Sequence, residues 1–372
     1  MQLRLDNTKS YAVVLEGGGA RGAYQVGVWK ALDEAGVRYN AVAGSSVGAL
    51  NGAMMAMRRL AQAEALWKNI RFSQVMNVDD DVMKKLFELR LGEIDLRQLA
   101  RRALGVLKGG GFDVSPLREL LADTVDERAI RESDVDFYIA TYSLSDRKEL
   151  YLRAKDIEPG GIQDMLLASA YYPAFRNEPL GGKRYIDGGV QDVLPLSPLI
   201  ENGYRDILAI RVFGFGVEKR VDIPGDVTVT TIAPTRKLGP VMNFDGDLSR
   251  EQFTLGYYDG LRALYGLAGD RYYIDSTWTE AEAYEHLAAL VRRFELYDEP
   301  PESLRALNEE ALPRLARRVK ATGGYCDVLL KCLEHMAEAA ELDPFAVMTD
   351  AAFERRVLDA AERSNAWAPL ML

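Results

Sequence analysis

The chain has 372 residues, 48% hydrophobic and 27% charged, which suits one large or two modest globular domains. Its net charge of −10 offers no global positive field to gather phosphates and argues against nucleic acid as a partner. Cys326 and Cys332 are its only cysteines, a usage that suits a reducing compartment and supplies no metal-ligand cluster.

The first ten residues are polar, with Arg4, Asp6 and Lys9, and form no apolar leader. No apolar run approaches the ~18–20 residues that cross a bilayer. The expected location is the cytoplasm, with peripheral contact at a membrane surface left open. Tyr11 to Leu15 is a short apolar run ending in glycines and reads as a buried strand. Gly22 to Ala35 has helical spacing and stops at Gly36. Tyr39 to Ala43 reads as a second strand, and Val47 to Met57 as a second helix. This alternation predicts a parallel sheet with helices packed on it. Val135 to Tyr142, Arg184 to Ile186, Ile207 to Phe213 and Arg271 to Asp275 read as further strands, and Ile162 to Ala170 as a helix.

Ser115-Pro116 and Ser197-Pro198 fit a capping serine followed by proline at the first helical position. Ser249 to Gln252 resembles a capping box that opens a helix through Leu264. From about Thr277 the pattern turns helical, over Ala281 to Phe294, Glu302 to Thr322, Asp327 to Ala340 and Ala351 to Ser364. This part reads as an extension packed on the α/β core, not as a second catalytic unit.

Residues 70–111 form a longer connection than a compact α/β unit needs. Lys84, Lys85, Arg90, Arg97, Arg101, Arg102 and Lys108 outnumber Glu88, Glu93 and Asp95 there, interleaved with leucines. Such a basic amphipathic stretch, 82–108, suits a lid or a lipid contact. It equally suits a helix with a solvated face packed on the core.

Gly17, Gly19 and Gly22 match G-x-G-x-x-G between a strand and a helix. A dinucleotide site would need an acidic residue at the end of the next strand, which instead ends in Ala43-Gly44. The other reading is an oxyanion cradle from the N–H groups of Gly17, Gly18 and Gly19, helped by the helix that begins near Gly22. Arg21 would hold that loop in shape or position a phosphate head group. Gly44-Ser45-Ser46-Val47-Gly48, again between a strand and a helix, is the G-x-S-x-G pattern of a nucleophile elbow. The frame selects Ser46, flanked by Gly44 and Gly48, with the Val47 N–H as a further oxyanion donor.

A serine nucleophile needs a base. His286 and His335, the only histidines, lie on ordinary amphipathic stretches, yet their position in the chain leaves a histidine-dependent esterase formally open. Asp187, followed by Gly188 and Gly189, sits where a strand hands a side chain to a loop. By itself that triplet reads as a turn. Burial would raise its pKa from ~3.9 and make it a better base.

Together the glycine loop, the elbow and Asp187-Gly188-Gly189 resemble the patatin-like phospholipase family. Ala168 to Pro173 and Phe253 to Asp275 are also similar to family segments. The resemblance covers about Ser10 to Ile210 and implies a three-layer α/β/α core with a mainly parallel sheet. The expected catalytic domain is 10–275, and 276–372, which the resemblance does not reach, is expected as a helical C-terminal extension. The resemblance also implies a Ser46–Asp187 dyad without histidine, an acyl-enzyme, no metal or cofactor, and a lipid or acyl-ester substrate. A catalytically silent lipid-binding protein of the same fold is the alternative, and oligomeric state is left open.

Overall fold

In the computed structural model, which describes residues 1–88, 110–296 and 304–371, β1 (Ser10–Leu15) is buried from Tyr11 onward. A strand with no polar face must be covered on both sides, as in parallel sheets with helices on each face. α1 (Gly22–Glu34), β2 (Arg38–Ser45), α2 (Val47–Ala56), α3 (Leu60–Lys68) and α4 (Asp80–Phe87) follow. Next come α5 (Ser115–Thr124), α6 (Glu127–Glu132), β3 (Asp136–Ser143), β4 (Lys148–Arg153), α7 (Ile162–Ser169) and β5 (Tyr185–Asp187). α8 (Ser197–Glu201), β6 (Asp206–Ile210), β7 (Thr228–Ile232) and α9 (Gly246–Tyr265) complete the α/β part.

The strands form one mixed, mostly parallel sheet in the order β4-β3-β2-β1-β6-β7. β4 and β5 run antiparallel to β3. One face buries Ala12, Val14, Ala41, Ala43 and Ala209 against Val193, Leu194 and Leu199 of the segment that contains α8. On the other face a Cβ at Gly52 of α2 would meet Phe137 at 2.7 Å and Val42 at 3.2 Å, so the helix lies directly on the sheet. Helices therefore cover both faces, and the fold is α/β with three layers.

Three local expectations change. β4 and β7 were not visible as strands, because KELYLR and TVTTI lack the apolar run that marks the buried ones. Ser249 lies inside α9, whose start is capped by Asp245 Oδ1 accepting from the N–H groups of Asp247 and Leu248 (3.0 Å each). Ser115 is the first residue of α5 and not its cap; Asp113 accepts its N–H at 3.0 Å. Of the basic stretch 82–108, residues 89–108 lie outside the described residues. In the described part, Phe87 of α4 stacks on Phe72 with ring centroids 5.5 Å apart.

The described residues fall into two compact units, Leu5–Leu261 and Met1–Arg4 with Arg262–Leu372. The second unit has its own apolar core, including Leu287, Leu329, Leu333, Met336, Phe353 and Val357. Its helices include Glu280–Arg293, Tyr325–Ala339 and Asp350–Ser364, and it carries a two-stranded parallel pair, β8 (Tyr273–Asp275) with β9 (Val347–Thr349). The single helix expected over Glu302 to Thr322 is interrupted by a π turn at Leu307–Ala311. Pro313, which has no N–H to give to a carbonyl one turn back, follows that turn.

Candidate active site

β1, β2 and β6 run in parallel and in register, with Leu15 opposite both Gly44 and Ile210. Their carboxyl ends therefore open at one place, the usual location of sites in such sheets. The glycine loop leaves β1 there, Ser46 leaves β2, and the segment after Ile210 leaves β6.

Ser46 stands between β2 and α2 with φ 53 and ψ −126. This left-handed backbone is strained for a residue with a side chain, at a cost of about 1–3 kcal/mol. The turn is tight enough that a Cβ on Gly44 would lie 2.3 Å from the Gly48 carbonyl carbon and oxygen. A Cβ on Gly48 would lie 2.3 Å from the Leu15 carbonyl oxygen. Both flanking glycines are thus required by close approach. The Ser46 N–H donates to Ser169 Oγ at 2.8 Å.

Asp187 ends β5, and strand register delivers it. Ser45 pairs with Ala140 on β3, and the next β3 residue, Thr141, pairs with Asp187. Ser46 Oγ donates to Asp187 Oδ2 at 2.6 Å. The other carboxylate oxygen accepts the Gly189 N–H at 2.8 Å. Burial pushes the Asp187 pKa up to about 6, against the opposing pull of those two hydrogen bonds. His286 Nδ1 lies 2.8 Å from Glu354 within the C-terminal unit, and His335 is exposed on its helix.

The glycine loop divides. The Gly17 N–H already donates to the Val193 carbonyl at 2.8 Å, which removes it from the candidate oxyanion donors. Gly18 and Gly19 donate to no other group among the described residues, and Val47 is the first residue of α2, where N–H groups lack intrahelical acceptors. Of the two roles expected for Arg21, holding the loop or positioning a head group, its contacts support the first. Its guanidinium donates to the carbonyls of Gly239 (2.9 Å), Val212 (3.1 Å) and Phe213, so it braces the loop against the chain after β6.

Several supporting residues had no motif. Glu16, 1% exposed, accepts the N–H groups of Val212 (2.6 Å) and Phe213 (2.9 Å). Its one sequence signal was an acid placed between an apolar strand and a glycine run. Asn51 of α2 donates to the Gly22 carbonyl (2.9 Å) and to Gln25 (2.8 Å), and accepts from Trp67 Nε1 (2.8 Å). Gln25 in turn donates to the Glu16 carbonyl at 2.6 Å. This satisfied buried network ties the elbow helix to the helix after the glycine loop.

A cavity of about 1070 Å³, including its open mouth, holds Ser46, Asp187 and Gly17–Gly19 in its wall. Ser46, Leu50 and Met54 of the elbow region all line it. Four-residue steps follow one helix face, so the cavity runs along α2 for about 12 Å. Leu117, Leu121 and Val125 line it as well, giving a mainly apolar chamber beside the serine. Among the described residues, no three His, Cys, Asp or Glu side chains converge to hold a metal ion. No helix among them is long and apolar enough to cross a membrane.

The family model for patatin-like phospholipase matches residues 13–200, about half of the chain. The chain belongs to this family. Among curated members, patatin-like phospholipase domain-containing protein 7 of Mus musculus is 26% identical over 214 residues, 56% of this chain and 14% of that protein. Lysophospholipase nte1 of Aspergillus terreus is 56% identical over 48 residues, 13% of this chain and 3% of that protein. The matched region thus spans a seventh or less of these relatives. Among solved structures, VipD from Legionella pneumophila has a TM-score of 0.44 and 14% identity, covering 97% of this chain and 85% of that one.

Proposed function

We propose that the Leu5–Leu261 unit is a lipid acyl hydrolase of the phospholipase A or lysophospholipase type, with Ser46 as nucleophile and Asp187 as base. The observation that carries this reading is the 2.6 Å hydrogen bond between them, made to a buried carboxylate whose pKa is near 6. A base poised there is largely ionised at neutral pH and yet basic enough to take a proton in the transition state.

Ser46 Oγ attacks the ester carbonyl carbon as its proton passes to Asp187. The carbonyl oxygen, now negative, takes hydrogen bonds from the N–H groups of Gly18, Gly19 and Val47. Collapse expels the alcohol, which recovers the proton from Asp187, and leaves the acyl group on Ser46. Water then gives a proton to Asp187 as its oxygen attacks the same carbonyl, and collapse releases the fatty acid as Ser46 Oγ takes that proton back from Asp187. The apolar chamber along α2 supports a substrate with an acyl chain. The Gly189 N–H orients Asp187, a task that a further side chain performs in three-residue catalytic sets.

The test measures hydrolysis of a short soluble ester and of a lysophospholipid by four proteins. Ser46→Ala abolishes both activities, and Asp187→Asn lowers them by about 10²–10⁴-fold. His286→Ala/His335→Ala keeps them. Activity that survives Asp187→Asn and disappears in the histidine variant would sink the dyad. A wild-type protein that cleaves no acyl ester would leave the silent lipid-binding reading in its place.

A further inference from the structure

After β6 the chain runs Val212-Phe213-Gly214-Phe215-Gly216-Val217 past the site. The two glycines face inward under steric compulsion. A Cβ on Gly214 would lie 1.7 Å from the Gly17 carbonyl oxygen, and one on Gly216 would lie 2.2 Å from that of Gly189. The remaining positions, Phe213, Phe215 and Val217, are 54%, 78% and 54% exposed. Three neighbouring large apolar side chains in water call for an explanation that a lone exposed leucine does not.

This segment is held in place and is no loose loop. Glu16 accepts the N–H groups of Val212 and Phe213, and Arg21 donates to the carbonyls of both. Val217 donates its N–H to the Gly189 carbonyl at 2.9 Å and accepts from Val193 at 2.8 Å. Phe213 has φ 48, a left-handed conformation that disfavours an aromatic residue and persists only where its surroundings impose it. Two charged side chains and a strained backbone thus combine to hold a benzyl group half in solvent, with the Arg211 guanidinium 5.4 Å from its ring centroid.

We infer that Phe213, Phe215 and Val217 dock the protein on a lipid–water interface of neutral or zwitterionic head groups. The inference rests on the reading that an acyl lipid enters the cavity, and two observations select this occupant. Phe215 is both the most exposed of the three and part of the cavity wall, so the patch continues into the chamber an acyl chain would enter. Two of the three flanking cations are already paired, Arg211 at 3.2 Å from Glu16 and 2.5 Å from Glu218 and Lys219 at 2.5 Å from Glu149, which leaves Arg220 alone to attract an anionic surface. Apolar insertion, not attraction to anionic lipid, then supplies the binding.

Docking is measured as co-sedimentation of the Ser46→Ala protein with phosphatidylcholine vesicles, so that turnover plays no part. Phe213→Asn/Val217→Ser, with asparagine chosen because it tolerates the left-handed backbone, lowers the vesicle partition coefficient roughly tenfold or more. In the protein with Ser46 intact, the same pair leaves hydrolysis of a short soluble ester unchanged. Adding phosphatidylglycerol or raising salt leaves vesicle binding unchanged. Should the double variant fail to fold, Val217→Ser alone carries the test with a smaller loss.

Vesicle binding that persists in these variants, or that high salt abolishes, overturns the inference. So does a wild-type dimer that the substitutions dissociate, which would make the patch a contact between two copies. An inactive wild type that still binds vesicles would refute the hydrolase reading and leave docking intact.

Discussion

Ser169 and Ser46 are joined through the main chain: Ser169 Oγ accepts the Ser46 N–H at 2.8 Å and donates its own O–H to the Ala140 carbonyl at 2.6 Å. The strained residue at the elbow is therefore fastened from α7 to β3. Ser169→Ala strands a donor and an acceptor, at a cost of about 1–3 kcal/mol. Its kcat should fall with KM nearly unchanged, and its melting temperature should drop. A variant that loses stability but keeps full kcat would show that the fastening serves the fold alone.

The raised pKa of Asp187 has opposite consequences for rate and for stability. As a base it works ionised, so kcat/KM for a soluble ester should rise with pH through about 6 and then level off. The folded pKa lies above the ordinary 3.8, so this group favours the fold fully below 3.8 and loses that contribution as pH rises through about 6. The difference is on the order of 3 kcal/mol. Asp187→Asn should therefore gain melting temperature relative to wild type at pH 8 and gain little at pH 4, while activity is lost at both. Thermal melts at the two pH values decide this.

Arg21 offers a choice between brace and head-group ligand. Because its Nε and Nη1 already donate to carbonyls of residues 212, 213 and 239, Arg21→Met should lower kcat for phospholipid and for a neutral short ester alike. A rise in KM confined to phospholipid would restore the head-group role.

Gly214 and Gly225 make a matched pair. A methyl group on Gly214 collides with the Gly17 carbonyl at 1.7 Å, whereas one on Gly225 meets nothing within 4 Å. Gly214→Ala should destabilise by about 3 kcal/mol or more and depress activity by displacing the glycine loop. Gly225→Ala should fall within about 0.5 kcal/mol of wild type by denaturant unfolding.

Local patterns made much of this chain readable. The runs Tyr11 to Leu15 and Tyr39 to Ala43, each followed within two residues by glycine, announce two buried parallel strands and the turns after them. β4 and β7 escaped because their residues alternate or mix polar and apolar types, so no continuous run betrays them. Ser46 was legible in its pentapeptide, but its contact with Asp187 spans 141 residues and depends on registers among three strands. No spacing rule encodes that. For Arg21 the sequence left a brace and a head-group ligand as alternatives, and only the path of residues 212–239 reveals the carbonyls that its Nε and Nη1 reach. Glu16, Asn51 and Gln25 are ordinary residues whose partners are distant in sequence, so nothing nearby marked them.

Asp187 is steered by the amide of Gly189, and the groups poised around Ser46 at residues 18, 19 and 47 are amides as well. An alanine scan deletes side chains and leaves every peptide N–H standing. Such a scan would see two indispensable residues in an otherwise quiet pocket, with glycine positions failing only through collision. Amide-to-ester exchange in semisynthetic protein would expose the rest, since the proposed chemistry draws largely on the polymer and not on its decorations.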